Sequence, residues 1–293
     1  MKEKGLYGLI PPLITPFTAT GELDLEALGQ ILEFTKPYVH GYYVAGTYGQ
    51  GPLMDLNERL RLVEKITEHI RGTKQVVVHV GSPETSVSTK LARHAEEVGA
   101  TAVASVPPYY YRHSEEAVVK FFEELVNSTS LPVYVYNNPS RVGYPVSPEL
   151  AAKLKQIGVR GVKDSSFDVI NYTSYKIYAG DDFDVVVGTE ALMLPTYVLG
   201  AKAYIPGMSN YLPELVYELF TTLEGGEYGR ARELQMKVNK IREELHKLGN
   251  IISLTYLVLN LRGLKECYPK KPFLPARKDL KESIKKIISE YIE

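Results

Sequence analysis

A lysine stands at the end of a short apolar segment in the middle of the chain. Lys163 follows Gly161 and Val162 and precedes Asp164. If this segment is a buried strand, desolvation disfavours the ammonium and lowers the pKa of the amine, so that a neutral nitrogen can attack a ketone. Lysines at strand ends are also common on protein surfaces, and position alone leaves that alternative open. The residues make Lys163 a candidate nucleophile toward a carbonyl carbon.

A tyrosine ends another apolar segment at a distance that suits a partner for this lysine. Tyr136 lies 27 residues before Lys163, which is the length of one strand and one helix. Two neighbouring strands would bring the phenol beside the amine, where it can move the proton that a carbinolamine gains and loses. The chain has 22 tyrosines, and a tyrosine that only packs in the core is the alternative.

A glycine-rich turn supplies a third group of polar atoms. The turn reads Gly46-Thr47-Tyr48-Gly49-Gln50-Gly51. Its glycine spacing is not that of a dinucleotide-binding loop, and no Lys-Ser or Lys-Thr pair follows as in phosphate-binding loops. Backbone N–H groups in such a turn suit a carboxylate or a phosphate. The hydroxyl of Thr47 adds a group that can relay a proton.

Other chemistries find less support in the residues. The six histidines have no metal-ligand spacing, and we expect no metal site; His79 is predicted to lie in a strand as a core or barrel-lining residue. No Gly-x-Ser-x-Gly elbow of a serine hydrolase occurs. Asp181, Asp182 and Asp184 lack the spacing of a calcium loop and are interpreted as a solvated turn.

Composition narrows the partners and the compartment. The 34 basic and 35 acidic residues nearly cancel, so we expect no nucleic acid and no anionic membrane as partner. No run approaches the roughly 18 apolar residues of a membrane span. The single cysteine, Cys267, cannot form an intrachain disulfide, which favours a reducing cytoplasm. Lys2 and Lys4 precede an apolar run, but prolines interrupt it, so we expect no signal peptide.

The elements that must position these residues alternate in type. Short β-branched or aromatic segments alternate with segments of helical period, which is typical of parallel strands joined by helices. Eight strands are predicted: Gly8–Ile14, Gly41–Ala45, Gln75–Val80, Ala102–Val106, Val133–Tyr136, Gly161–Lys163, Asp184–Val187 and Ala203–Pro206. Eight β/α units favour an α/β protein with a closed TIM (β/α)8 barrel over an open sheet.

The barrel is predicted to occupy residues 1–225, where the last helix ends near the pair Gly225-Gly226. Residues 226–293 are predicted to form a C-terminal helical extension packed on the barrel. Its three helical segments are expected at Ala231–Leu248, Ile251–Leu261 and Leu280–Ile292. In barrel enzymes the reacting groups lie at the C-terminal ends of the strands, where Tyr136 and Lys163 are predicted to be.

Five motifs give the chain a specific resemblance. They read Gly46-Thr47-x-Gly49, Pro108-Tyr109-Tyr110, Tyr136-Asn137-x-Pro139, Gly161-Val162-Lys163-Asp164 and Ala201-Lys202-Ala203-x-Ile205. In this order and spacing they resemble the dihydrodipicolinate synthase/N-acetylneuraminate lyase family of class I, Schiff-base aldolases. The resemblance runs over nearly the whole chain.

The resemblance implies roles for individual residues. Lys163 is expected to form the Schiff base with a 2-oxo acid such as pyruvate, and Tyr136 is expected to transfer the proton. Thr47 would relay protons between Tyr136 and a Tyr110 lent by a neighbouring subunit. The substrate-binding residues implied by the family are Thr47, Tyr48 and Gly49 for the carboxylate, with Gly188 and Ile205 lining the pocket. The family also implies a homotetramer, a dimer of dimers, and no cofactor.

Three positions bear on the second substrate, an aldehyde. Tyr48 stands where the family usually has Thr or Ser, and Gln50 replaces a frequent Glu. The run Gly49-Gln50-Gly51-Pro52 is similar to archaeal 2-keto-3-deoxygluconate aldolases. Arg141 instead resembles the arginine that dihydrodipicolinate synthases use for a substrate carboxylate, a role that suits a guanidinium. We therefore expect a 4-hydroxy-tetrahydrodipicolinate synthase-like enzyme; the alternatives are a 2-keto-3-deoxy sugar acid aldolase and a non-catalytic 2-oxo acid sensor.

Overall fold

The computed structural model describes residues 5–70 and 72–291. Lys2 and Lys4, considered above as the start of a signal peptide, lie outside these residues. So does Ile292, the predicted end of the last helix.

All eight predicted strands are present among the described residues, and all pair in parallel. They are Gly8–Leu9 (β1), Gly41–Val44 (β2), Gln75–His79 (β3), Ala102–Ser105 (β4), Val133–Asn137 (β5), Gly161–Asp164 (β6), Asp184–Val187 (β7) and Ala203–Tyr204 (β8). The predicted extent of the first strand, to Ile14, is wrong, because Pro11 and Pro12 have no N–H to donate to a ladder. The last strand is also shorter than predicted and stops before Pro206.

The sheet closes into a barrel. Its strand order is β1-β8-β7-β6-β5-β4-β3-β2. Between β1 and β2 the backbone N–H of His40 donates to the carbonyl of Leu9 over 2.7 Å, and that of Tyr43 donates to Pro11 over 2.9 Å. A third bond, from Leu13 to the carbonyl of Tyr43, continues this seam at 2.9 Å. Single hydrogen bonds from an irregular segment therefore complete the ring that short strands begin.

Helices cover the outside of the barrel. Within the described residues they are Leu25–Thr35 (α1), Leu56–Ile70 (α2), Thr85–Glu97 (α3), Glu115–Asn127 (α4), Pro139–Val142 (α5), Pro148–Gln156 (α6), Val169–Ala179 (α7), Met193–Val198 (α8), Pro213–Glu224 (α9), Tyr228–Leu248 (α10), Ile251–Leu261 (α11) and Lys281–Ile287 (α12). The side chains of Asp24 and Ser114 cap α1 and α4, each accepting a hydrogen bond from a backbone N–H in the first turn.

Three helices, α10, α11 and α12, form the C-terminal extension. The third is shorter than predicted, because 3-10 turns at Lys278–Leu280 and Ser289–Tyr291 flank α12. Buried residues of α10, among them Val238 and Leu245, belong to the same hydrophobic core as the barrel. The division into two units at residue 225 stays a prediction, although α9 and α10 meet at the predicted glycine pair.

Two searches of residues 5–70 and 72–291 gave negative results. No helix there is long and apolar enough to cross a membrane. No group of three or more His, Cys, Asp or Glu side chains in this part of the chain could hold a metal ion.

Candidate active site

A cavity of about 220 Å³ opens where the C-terminal ends of the strands meet. Seven of the predicted site residues line it: Thr47, Tyr48, Tyr136, Arg141, Lys163, Gly188 and Ile205. Gly49 lies behind this surface, since a Cβ there would be 2.9 Å from the carbonyl oxygen of Leu13. Tyr110 lies away from the cavity of its own chain. The fold thus gathers residues from five strands and the loops after them.

Strand register sets the amine and the phenol side by side. Lys163 in β6 is paired with Tyr136 in β5, and the lysine is 3% exposed. Its Nζ lies 3.7 Å from the centre of the Tyr136 ring and 3.6 Å from the centre of the Tyr43 ring, which projects from β2. The nitrogen therefore sits in a corner formed by two aromatic faces.

Burial controls the protonation of this lysine. Removal from water lowers the pKa of Lys163, and the hydroxyl of Tyr136 offsets part of that effect. His79 lies behind the pair, with its ring centre 6.0 Å from that of Tyr136. Burial, together with the charges of Arg59 and Lys163, holds the pKa of His79 well below its usual range. A neutral imidazole adds no positive charge beside the amine.

The hydroxyl of Tyr136 has several polar partners. Its oxygen is 3.5 Å from Thr47 Oγ1 and accepts a hydrogen bond of 2.8 Å from Asn138 Nδ2. Burial alone would raise the pKa of Tyr136, but the charge of Lys163 and hydrogen bonds from Thr47 and Ser165 bring it below the ordinary value. A phenol with this environment can give and accept a proton more readily than an ordinary tyrosine.

The turn that carries Thr47 is held from outside the barrel. Ala45, directly before the turn, and Gln50 within it have left-handed backbone angles, with φ of 57° and 54°, a conformation that costs energy for residues other than glycine. The side chain of Gln50 donates to the hydroxyl of Tyr256 in α11 and accepts from the backbone of Lys270 over 2.8 Å. The C-terminal extension therefore fixes the turn.

Tyr48 and two glycines shape the inner wall. A Cβ at Gly207 would lie 2.5 Å from the Tyr48 hydroxyl, so the phenol lies directly against this backbone. A Cβ at Gly188 would lie 2.1 Å from Ser165 Oγ, which allows the loop after β7 to approach β6. Burial and the nearby carboxylate of Glu190 raise the pKa of Tyr48. Tyr48 is thus a neutral hydroxyl that narrows the cavity.

The outer wall is charged. Arg141, from α5, is exposed to solvent and lines the cavity. The helix α10 of the extension contributes Arg242 and His246 to the same lining. Arg242 Nε lies 3.4 Å from Glu190 Oε1, and its guanidinium lies 5.0 Å from the centre of the Phe167 ring. Two guanidinium groups and one carboxylate therefore border the mouth.

Tyr110 is a surface residue of its own chain. Its side chain is 85% exposed, and its backbone φ of 78° is unusual for a tyrosine. Its ring packs edge to face on that of Tyr111, with centres 4.9 Å apart. Within its own chain, Tyr110 does not join Thr47 and Tyr136.

Several residues of this site were not predicted from the sequence. Asn138 occupies the unspecified position of the Tyr136 motif. Its place two residues after Tyr136 could have indicated a contact between the two side chains. Tyr43 lies on the inward face of β2, where alternation along the strand could have identified it. Arg242 and His246 are four residues apart on α10 and thus share one face, but nothing local indicates that this face reaches the cavity. Glu190 is 5% exposed, pairs with Arg242 and accepts a hydrogen bond from the backbone N–H of Met208.

Comparison with known proteins agrees with this geometry. The model of the dihydrodipicolinate synthetase family matches residues 5–291. The 4-hydroxy-tetrahydrodipicolinate synthase of Methanopyrus kandleri is 32% identical over 289 residues, covering 96% of this chain and 95% of that protein. The 2-dehydro-3-deoxy-D-gluconate/2-dehydro-3-deoxy-phosphogluconate aldolase of Thermoproteus tenax is 33% identical over 270 residues, covering 91% and 86%.

A solved structure supports the same relationship. The dihydrodipicolinate synthase of Aquifex aeolicus superimposes with a TM-score of 0.90 at 27% identity, covering 98% of each chain. Both the expected (β/α)8 fold and the expected lyase class are confirmed by these relatives. The chain belongs to the dihydrodipicolinate synthetase family and is a lyase of the class I type, which forms a Schiff base with pyruvate.

Proposed function

We propose that Lys163 is the residue that forms the Schiff base, with Tyr136 and Thr47 moving the protons. The observation that carries this assignment is the buried Lys163 nitrogen beside the Tyr136 phenol, at the closed end of the cavity. Lys163 Nζ attacks the ketone carbon of pyruvate, and the carbonyl oxygen takes a proton from the Tyr136 hydroxyl. The Tyr136 phenolate takes the surplus proton from the carbinolamine nitrogen and passes it to the hydroxyl, which leaves as water, so that an iminium and the Tyr136 phenolate remain.

Carbon–carbon bond formation follows from the iminium. The Tyr136 phenolate takes a methyl proton of the iminium to give an enamine, whose terminal carbon attacks the carbonyl carbon of an aldehyde while the aldehyde oxygen takes that proton from Tyr136. Cleavage is the same path reversed. The turn at Thr47, Tyr48 and Gly49 is proposed to hold the pyruvate carboxylate through backbone N–H groups, with Gly188 and Ile205 bordering the methyl end. This turn is rigid because Gln50 anchors it to α11.

The aldehyde is proposed to carry an acidic group, bound by Arg141. Arg141 is exposed to solvent and lines the cavity, and Arg242 adds a second guanidinium to the lining. Guanidinium groups bind carboxylates through paired N–H donors. A 4-hydroxy-tetrahydrodipicolinate synthase-like condensation fits these charges.

A second candidate, cleavage of a 2-keto-3-deoxy sugar acid, is favoured by a different observation. The bulky phenol of Tyr48 lies against Gly207 and replaces the small hydroxyl residue that synthases usually carry. The run Gly49-Gln50-Gly51-Pro52 and the relative from Thermoproteus tenax support the same reading. A panel of aldehydes assayed with pyruvate separates the candidates: a preference for an acidic amino aldehyde favours the synthase, and a preference for glyceraldehyde favours the aldolase.

We also propose a homo-oligomer, a dimer of dimers, in which Tyr110 enters the neighbouring active site. Its 85% exposure and its strained backbone support this, because a large aromatic side chain held outward in an unfavourable conformation needs a compensating contact. We place the enzyme in the cytoplasm on account of its single cysteine.

Borohydride reduction with pyruvate tests the proposed chemistry. The wild-type protein should gain the mass of one reduced pyruvate, located on Lys163 by peptide mapping, and the Lys163→Ala variant should gain none. Lys176→Met is the control, since Lys176 is a half-buried lysine at the opposite end of the barrel. A wild-type protein without an adduct refutes the enzyme assignment, and an adduct without turnover of any aldehyde would indicate the 2-oxo acid sensor.

A further inference from the structure

Asn138 stands at the start of a helix, but its side chain does not cap that helix. It precedes α5, where an asparagine side chain commonly caps the first turn. Here the side chain makes no capping bond. Its backbone carbonyl accepts from the N–H groups of Arg141 and Val142, each over 3.0 Å, so the turn holds the residue without help from its amide. The amide is therefore available for another task.

The side-chain amide of Asn138 contacts two hydroxyl groups. The hydroxyl of Ser140 donates to Asn138 Oδ1 over 3.1 Å, and Nδ2 faces Tyr136. Asn138 Nδ2 then donates to the Tyr136 hydroxyl oxygen over 2.8 Å. Asn138 is 7% exposed, and burial strengthens these hydrogen bonds relative to bonds at the surface.

We propose that Asn138 is a positioning residue that controls the proton on Tyr136, an inference that rests on the proposed role of Tyr136. Because the amide N–H occupies one lone pair of the phenol oxygen, the phenol's own hydrogen is directed away from Asn138, toward Thr47 and Lys163. An N–H donor also stabilises the phenolate that forms when Tyr136 releases its proton. Asn138 borders the cavity, and the role proposed for it is exerted through Tyr136.

Four other ionisable side chains lie around Tyr136 in the part of the chain that the structure describes. Lys163 faces it from β6, Tyr43 from β2 with ring centres 5.8 Å apart, and His79 from β3. Tyr48 approaches from the loop after β2. Tyr43, His79 and Tyr48 are neutral. Among the described residues, Lys163 is therefore the group that can present a charge to the phenol. Replacing the N–H donor by a negative acceptor therefore adds the one new charge that the phenol oxygen would meet.

The test is the exchange of pyruvate methyl protons for deuterium, followed by NMR without any aldehyde. In Asn138→Asp the bond from Ser140 is kept and only the donor to Tyr136 is lost. The carboxylate disfavours the phenolate, so the exchange rate should fall by about ten- to a hundredfold, and the acid limb of its pH profile should move to higher pH. Asn138→Val removes the donor without adding charge, and its limb should move in the same direction by less.

Asn171→Asp is the matched control, because Asn171 donates to Ser166 over 3.0 Å and lies outside the cavity lining; its profile should equal that of the wild type. An unchanged limb in both Asn138 variants overturns the inference, even if the rate falls, because a merely structural role lowers the active fraction at every pH alike. If one variant fails to fold, the limb of the other decides. A wild-type protein that exchanges no pyruvate protons refutes the proposed function itself, and the inference falls with it.

Discussion

The aromatic corner around Lys163 leads to a quantitative prediction for Tyr43. The Tyr43 ring centre lies 3.6 Å from Lys163 Nζ, and both side chains are buried. A cation over a ring in such a dry site is stabilised by about 2 kcal/mol. Tyr43→Leu removes the ring and keeps the site apolar. Tyr43→Phe keeps the ring and removes a hydroxyl that has no hydrogen-bond partner among the described residues.

The sign of the effect follows from which species are charged. Burial already lowers the pKa of Lys163, and loss of the ring destabilises the ammonium further. About 2 kcal/mol corresponds to about 1.5 pKa units, so the acid limb of Schiff-base formation should move by that amount to lower pH. The iminium is also a cation and loses the same contact. Above the limb, where the amine is neutral, pyruvate binding should therefore weaken about thirtyfold, and well below the limb it should be unchanged.

Borohydride trapping over a range of pH and pyruvate concentration measures both the position of the acid limb and the affinity for pyruvate. Tyr43→Phe should follow the wild type. Tyr42→Leu is the matched control, because Tyr42 is a buried tyrosine on the same strand whose hydroxyl contacts Thr35 over 2.9 Å on the outer face. A Tyr43→Leu profile whose acid limb coincides with that of the wild type would refute the electrostatic role of the ring, whatever its thermal stability.

Three further predictions concern neighbouring residues. Tyr136→Phe should lower kcat by about 10²- to 10⁴-fold, because it removes the group that donates and accepts the proton; initial rates measure this, and a loss below tenfold would contradict the assignment. Arg141→Ala should raise KM at least about tenfold for an aldehyde that carries a carboxylate and spare a neutral aldehyde; equal effects on both would argue against a carboxylate contact. Tyr110→Phe should be nearly inactive alone, yet mixing it with Lys163→Ala subunits should restore activity, since hybrid interfaces contain sites with both intact residues. If the mixtures recover no activity, Tyr110 does not contribute to the active site of the neighbouring subunit.

The strands could be predicted from the sequence because their apolar runs are local. Segments such as Asp184–Val187 were predicted with their observed bounds. The first strand was predicted too long, because its apolar character continues through Pro11 and Pro12 while its ladder cannot. Closure of the barrel at β1 and β2 rests on single hydrogen bonds between irregular segments, and such bonds have no periodic pattern in the sequence.

The inner site could be predicted where chemistry and motif coincide on a strand end. Lys163 and Tyr136 were identified because each ends an apolar run, and strand register then made them neighbours. Arg242 could not be found in this way, since it lies 52 residues beyond Glu190 on a helix whose polar face resembles any solvated surface. Its contact with the cavity depends on how α10 packs on the barrel. Long-range packing of this kind has no local signal.

The anchoring of the Thr47 turn by Gln50 and Tyr256 has a consequence for how this enzyme diverges. The groups proposed to hold pyruvate lie on the barrel but depend on α11 for their shape, whereas α10 faces the mouth. Substitutions on the inner face of α10 can therefore alter which aldehyde is admitted while the imine-forming end stays intact. Replacing residues 228–248 by those of a relative is thus a route to a different product. Deleting the whole extension, in contrast, would disable the reaction with pyruvate.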